Sequence, residues 1–437
     1  MGGEPVTDCF IHASDLHLDA PLGSTGRLDA DIRNRLAVEA RGAWDALIDL
    51  TIRREASFLV LAGDVFHDGV AHPAVQRRFH EGLRRLNDED IKVFVCHGNH
   101  DPLTTEPGLI GRLPGNVTVF PTDEPSPVEV NLRSGSTAYV SGLSFSDRRV
   151  SENLAGRFTA LEPTSGPHVA VLHANLDGDE GHDPYAPCSL HDLRAAPVQY
   201  WALGHIHLRR ILGPEQLGDG RYGGYCGNLQ GRSFKPAECH PKGALVVPIQ
   251  GGRIGQPEFE ECDRIRFIHD DIEVEPTDDL EMILDRISAT ARSSAASATP
   301  RPVVWSFTLT GRHPDPGQIQ ALFADDDAEL GRDVFADLPG ILNDGGLAES
   351  EMRVARHRTR EDLIADGGFR AAVLETLDGE TTRSALEQLI TVLPTGIPRA
   401  AHEGDDGDAG LERKAVVDRI TTLAEEILVS ELGDSDA

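Results

Sequence analysis

A chain of 437 residues with 39% hydrophobic side chains holds enough apolar material for two or three domains, and none of its apolar runs approaches the ~18 residues a membrane span needs. Lys and Arg total 41 against 72 Asp and Glu, a formal net charge of -31 that speaks against broad nucleic-acid binding through a basic surface of its own. Six scattered cysteines with no Cys-x-x-Cys pair speak against a disulfide scaffold or a zinc ribbon and suit a reducing compartment. Met1-Gly2-Gly3-Glu4 opens no basic, apolar leader, so a cytoplasmic protein without a membrane partner is expected. The charge itself has two readings. It is a salt-adapted or high-GC coding style that raises solubility, or a partner supplies the missing basic surface.

In chain order, residues 9–13 form a short apolar run that reads as a buried strand and leads into Asp15-Leu16-His17. Ile32, Leu36, Ala40, Trp44, Leu47 and Thr51 then recur at helical spacing. A second run, 58–62, ends in Gly63-Asp64. Val75, Phe79, Leu83 and Leu86 predict another helix, with Pro73 near its start. The third run, 93–96, precedes Gly98-Asn99-His100-Asp101. Residues 117–120 and 138–141 read as a strand pair with no helix between them. Runs 169–172 and 200–203 end in His173 and in Gly204-His205-Ile206-His207. Strand–helix alternation predicts an α/β fold, at least partly parallel, arranged as a two-sheet sandwich with flanking helices.

Near residue 265 the texture changes. Residues 270–286 carry eight acidic side chains against Arg286 alone, and an Ala/Ser/Thr/Pro stretch fills 289–302. A strand over 303–310, helical spacing over 316–341 and a strand over 351–358 predict a smaller α+β domain. Residues 402–410 read as an acidic linker, and Val416, Ile420, Leu423 and Ile427 as an amphipathic terminal helix. The predicted domains are therefore 1–265, 266–400, and a linker with terminal helix at 401–437.

Each of the five apolar runs ends in a side chain able to bind a metal, and strand carboxyl ends are where α/β sheets gather ligands. Asp-x-His and His-x-His put both side chains on one face of an extended segment. Carboxylate, imidazole and amide oxygen suit manganese, iron or zinc better than calcium. A carboxylate shared by two cations about 3.5–4 Å apart is an arrangement that phosphoryl displacement exploits. His12, His72, His80, His191 and His240 lack such a context and read as ordinary surface or core histidines.

The series Asp15-x-His17, Gly63-Asp64, Gly98-Asn99-His100-Asp101, His173 and Gly204-His205-x-His207 resembles the calcineurin-like metallophosphoesterase superfamily. Ser14–Pro21, Tyr185–Leu190 and Gly227–Ser233 carry a finer resemblance to its SbcD/YhaO-type DNA repair exonuclease subunits. The likeness covers about residues 8–268. It implies a four-layer β-sandwich flanked by helices, with a smaller C-terminal domain that caps the site. It also implies one divalent cation on Asp15, His17, Asp64 and His207 and a second on Asp64, Asn99, His173 and His205, with manganese first and iron(II) or zinc as alternatives. His100 would donate a proton to the leaving group, Asp101 would orient His100, and His67 matches a histidine of the nuclease branch. The implied partners are DNA, an SMC-like ATPase and a second copy of the chain in a homodimer. Two alternatives stand beside the exonuclease: a phosphatase or phosphodiesterase of nucleotides or other small phosphoesters, and a non-catalytic scaffold on the same fold.

Overall fold

Side chains alternate along the first strand, β1 (Asp8–Ala13), and every layer of the molecule follows from that alternation. The computed structural model describes residues 8–23, 30–67, 72–103, 113–178, 184–324 and 347–356. After β1 come α1 (Ala30–Ala40), α2 (Gly42–Arg53), β2 (Phe58–Ala62), α3 (Pro73–Asp88), β3 (Lys92–Cys96), β4 (Val117–Val119), β5 (Val128–Asn131), β6 (Thr137–Leu143) and β7 (His168–His173). They are followed by α4 (Leu190–Ala195), β8 (Tyr200–Gly204), β9 (Arg210–Leu212), α5 (Pro214–Leu217), β10 (Tyr222–Tyr225), β11 (Gly243–Gln250), β12 (Arg253–Ile254) and β13 (Glu258–Glu261). The last described elements are β14 (Arg266–Val274), α6 (Leu280–Ala298), β15 (Val303–His313), α7 (Pro316–Ala324) and β16 (Leu347–Arg356).

One sheet has the order β12-β11-β1-β2-β3-β4, with β13 also paired to β11. A second has the order β5-β6-β7-β8-β10-β9. The pairs β1–β2 and β2–β3 are parallel, as are β6–β7 and β7–β8. Ile11, Leu59, Leu61 and Val95 on one face of the first sheet are buried with Trp44 and Leu47 of α2 and Phe79 and Leu83 of α3. The opposite face turns Phe10, Phe58, Val60 and Phe94 toward Val140, Val169, Val171 and Tyr200 of the second sheet. Phe10 and Phe58 stack there with ring centroids 4.7 Å apart. The outer face of the second sheet packs Leu172, Trp201 and Leu203 against Phe158 and Leu193. Helix, sheet, sheet and helix thus alternate as four layers. Burying each such large apolar side chain contributes about 1.5–3 kcal/mol.

Two sequence expectations change, and one stretch read only by its composition gains a structure. Residues 117–120 and 138–141 are both extended but do not pair: β4 lies beside β3 in the first sheet and β6 between β5 and β7 in the second. Phe120 packs between the sheets, where Gly142 leaves room that a Cβ would take from its ring. The helical spacing from Ile32 to Thr51 is broken at Arg41 into α1 and α2. Leu36 of α1 packs with Ile265, Phe267 and Val304, while Trp44 and Leu47 of α2 pack against the first sheet. The Ala/Ser/Thr-rich stretch belongs largely to α6, which buries Ile283, Ile287, Ala291, Ala295 and Ala298.

The remaining strands form a three-stranded sheet, β14-β15-β16. The chain divides into one compact unit of Met1–Ile272, Glu281–Thr308 and Phe323–Glu351 and another of Glu273–Leu280, Leu309–Leu322 and Met352–Ala437. Residues 325–341, the acidic stretch 402–410 and the apolar positions 416–427 lie outside the described residues. No helix among the described residues is long and apolar enough to cross a membrane.

His12 is a core histidine. Its Nδ1 lies 3.0 Å from the Tyr200 hydroxyl and its Nε2 3.2 Å from the Leu203 carbonyl. Burial lowers its pKa from 6.5 to about 3. A histidine that resists protonation when folded stabilises the fold fully above its unfolded pKa, and that contribution is lost as pH falls through the window from 6.5 to about 3. Urea unfolding midpoints should therefore fall on acidification across this range, and His12→Gln should flatten part of the slope. An unchanged slope in that variant would show that other groups set it.

Candidate metal centre

The strand ends of both sheets meet at one place. Beyond β1, the amides of Asp15 and His17 donate to the carbonyls of Gly63 (3.1 Å) and Asp64 (3.0 Å) beyond β2. The His205 amide, beyond β8, donates to both carboxylate oxygens of Asp15, each at 3.1 Å. The His100 amide, beyond β3, donates to Asp64 Oδ1 at 2.9 Å. His173, the last residue of β7, donates from Nδ1 to the Ala62 carbonyl at 3.0 Å.

The backbone bends unusually to achieve this. Asp15, His17, Asp64 and His205 have φ of 51°, 42°, 52° and 104°. Each such non-glycine residue stores about 1–3 kcal/mol of strain, which a structure keeps where side-chain direction matters. Gly98 and Gly204 allow the close approach: a Cβ on Gly98 would meet the Asp64 carboxylate and the His173 ring, and one on Gly204 the Ala62 carbonyl.

His17 Nε2 and His207 Nε2 lie 3.2 Å apart. His207 Nε2 is 3.9 Å from Asp15 Oδ1, and His17 Nε2 is 3.8 Å from Asp64 Oδ2. His173 Nε2 is 2.9 Å from Asn99 Oδ1 and 3.4 Å from Asp64 Oδ2. The rings of His173 and His205 are 5.2 Å apart. Ligand atoms of Asp15, His17 and His207 converge within 4.8 Å, as do those of Asp15, Asp64 and His173. The seven residues expected from the sequence as ligands are thus brought together, with His17, Asp64, Asn99, His205 and His207 lining a cleft and Asp15 and His173 buried.

The electrostatics of this cluster fit a pair of cations. Burial raises the Asp15 and Asp101 carboxyls, and burial together with the charges of Asp101 and Asp15 pushes Asp64 well above the usual carboxylate range. Burial, then the Arg232 charge and the neighbouring imidazoles, lowers His17, and burial and His205 lower His173. Several carboxylates buried together lack compensating charge, while burial keeps the His17 and His173 imidazoles neutral with lone pairs available. Divalent cations supply that charge and use those lone pairs.

His100 and His67 flank the cluster. Their rings stack with centroids 4.4 Å apart, and His100 Nδ1 donates to the His67 carbonyl at 3.0 Å. His67 Nδ1 is 3.3 Å from His17 Nδ1, and its amide donates to Asp19 Oδ1 at 2.6 Å. The expectation that Asp101 orients the His100 ring gives way to a different arrangement. Its carboxylate instead accepts the amides of Gly98 (2.9 Å), Val65 (2.8 Å) and Phe66 (3.3 Å), tying the loops after β2 and β3 together. The chain bends over residues 99–101, and the buried amides beside the bend need an acceptor, which the Asp101 carboxylate supplies.

Sequence reasoning passed over Glu238 and Arg232. Glu238 Oε1 accepts from His207 Nδ1 at 2.6 Å, and Arg232 donates to the Leu16 carbonyl at 2.7 Å. Both line, with the histidines, Asn99 and Tyr185, a cleft of about 760 Å³. Of the context-free histidines, His72 caps α3 by accepting the Ala74 amide at 3.2 Å.

Residues 10–209, which span every one of these ligand positions, match the family described as calcineurin-like phosphoesterase. This stretch is a calcineurin-like metallophosphoesterase domain. Among curated relatives, the metallophosphoesterase YhaO of Bacillus subtilis is 35% identical over 252 residues, 57% of this chain and 59% of that one. The DNA double-strand break repair protein Mre11 of Archaeoglobus fulgidus is 27% identical over 299 residues, 62% of this chain and 63% of that one. Mre11 of Methanocaldococcus jannaschii is 22% identical over 263 residues, 58% of this chain and 66% of that one. In each case the chain spans less than two thirds of the relative's length.

Within the metallophosphoesterase domain the Asp101 clamp is testable as structure. In Asp101→Asn one oxygen becomes an amide nitrogen facing a buried N–H, and an unsatisfied buried donor costs about 1–3 kcal/mol. Urea unfolding in the presence of a chelator should show a loss of that order, and an unchanged midpoint would mean that the loops hold without the carboxylate.

Proposed function

We propose that this chain is a metal-dependent phosphodiesterase acting on DNA, an exonuclease subunit that works in repair with an SMC-like ATPase. The observation that carries the reading is the meeting of Asp15, Asp64, Asn99, His17, His173 and His207 across two sheets around one cleft. The DNA side is supported by similarity to relatives named as double-strand break repair proteins. In this reading Asp15, His17, Asp64 and His207 hold one cation, and Asp64, Asn99, His173 and His205 the other, with Asp64 shared. Manganese suits the mixed donors, as would iron(II) or zinc. When bound, such a pair supplies Lewis-acid stabilisation of phosphoryl oxygens and a nucleophile from water at neutral pH.

The protein's own part is positioning and proton transfer. Because His100 Nδ1 carries the hydrogen given to the His67 carbonyl, Nε2 is the atom left to deliver a proton to the departing sugar oxygen. The stacked His67 ring fixes the plane of His100. Asp101 keeps the loops carrying Asp64 and Asn99 in register. Residues after 265 act as the capping and DNA-positioning region, and cytoplasmic DNA is the substrate pool.

His100→Ala should lower hydrolysis of bis-p-nitrophenyl phosphate by about 10²–10⁴-fold, the usual worth of a general acid, while both metal equivalents remain by elemental analysis. Loss of an equivalent would make His100 a ligand instead.

A second reading, hydrolysis of nucleotides or other small phosphoesters, is favoured by the charge of -31. Non-specific DNA affinity comes from cations displacing counterions and falls steeply with salt. The isolated chain should therefore turn over the small diester well and degrade linear duplex poorly in manganese, with degradation restored by the ATPase. Processive duplex degradation by the chain alone at physiological salt would refute the partner requirement. No cleavage even with the ATPase would select the small-phosphoester reading.

A further inference from the structure

Of the histidines among the proposed ligands, His207 is the one at the rim. Its side chain keeps 25% of its exposure, while those of His17 and His173 keep 2% and 0%. A ligand so placed needs something other than close packing to hold its ring. His173 uses the Ala62 carbonyl for that purpose, whereas His207 has a buried carboxylate. Glu238 ends the short turn Pro236–Glu238, outside the residues that match the family. Its Oε1 accepts from His207 Nδ1 at 2.6 Å, and its Oε2 accepts from Asn228 Nδ2 at 2.8 Å and from the Arg232 amide at 3.0 Å. Lys242 holds the other end of the same ligand residue, donating from Nζ to the His207 carbonyl at 2.7 Å and to the Ala237 carbonyl.

We propose that Glu238 is a positioning residue for the cation held by Asp15, His17 and His207: it fixes the His207 tautomer and ring plane so that Nε2 faces the centre. The inference rests on the two-cation reading of the cleft. A carboxylate on Nδ1 keeps the hydrogen there, leaves the Nε2 lone pair for metal and makes that nitrogen a stronger donor. Glu238 acts on one cation only, because its links run to His207 and to the loop from Asn228 to Arg232 and to no proposed ligand of the other cation.

The test is manganese titration of the chelator-stripped full chain by calorimetry and equilibrium dialysis. The wild type should bind two equivalents. Glu238→Ala should weaken one of them by roughly 10–100-fold, the usual effect of removing such a partner, and leave the other in place. Glu238→Gln, which keeps an oxygen for Nδ1 without the charge, should fall between. Asn228→Ala separates this role from loop stability, since it removes a different Glu238 contact and spares the His207 link, so it should bind manganese as the wild type does. Equal weakening in Asn228→Ala and Glu238→Ala, or two unaltered equivalents in Glu238→Ala, would overturn the proposal. A wild type that binds no manganese would instead overturn the two-cation reading beneath it.

Discussion

Three aspartates buried within one another's electrostatic reach constrain everything around them. Asp15, Asp64 and Asp101 are almost without solvent exposure, and each has its carboxyl raised chiefly by burial. Such a group is tolerable only with hydrogen bonds or opposite charge. Asp101 accepts three backbone amides and has His97 Nδ1 3.8 Å away. Asp15 has the His205 amide and the Ser14 hydroxyl at 2.5 Å, and Asp64 has the His100 amide. The remaining oxygen capacity of Asp15 and Asp64 faces imidazole nitrogens. This difference separates the structural carboxylate from the two poised to take a cation.

The same cluster exists only when the sheets are packed. The first sheet supplies Asp15, His17, Asp64, Asn99 and His100 beyond its strands, and the second supplies His173, His205 and His207. Cross-links such as His205 to Asp15 and His173 to Ala62 span the two. The aromatic layer of Phe10, Phe58, Phe94 and Tyr200 therefore sets the spacing of the centre from a distance. Strain at the four left-handed residues is held in place by that packing and by the paired loops, which is how an unfavourable backbone persists at a site.

The parts of this arrangement legible in the sequence are those with local signatures. Short apolar runs ending in Asp, Asn or His mark β1, β2, β3, β7 and β8 because strand burial and strand-end ligands are both written within a few residues. β11, the strand beside β1, carries the equally apolar Ala244–Ile249 but leads to no ligand, so a search for strand-end chemistry passes over it. Strand partners were not legible, as the separation of β4 and β6 shows, since alternation encodes a face and not a neighbour. Asp101 and Glu238 were misread or missed because their roles depend on which buried amide or imidazole lies opposite, a matter of tertiary position. Small-residue helix faces such as that of α6 are faint for a related reason: alanine and serine at the right spacing look like a linker until something packs on them.

Charge connects the centre to its surroundings. The total of 41 cationic side chains overstates what is available to a polyanion, because many surface arginines already face carboxylates. Arg54 pairs with Glu260, Arg78 with Asp45, Arg85 with Asp49, Arg157 with Glu152 and Arg264 with Glu39. Near the cleft the pattern differs, with Arg232 and Lys235 lining it and Lys242 behind His207. Asp64 and Glu238 line the same cleft, so its own charge is mixed, and divalent cations held there would turn it positive within an acidic exterior and, on the proposed reading, focus a phosphoester on the centre. A long polyanion samples both regions at once, whereas a small diester samples mainly the cleft. On the proposed reading, the distribution of charge therefore separates chemistry at phosphorus from grip on an extended backbone, the part for which a basic partner was proposed.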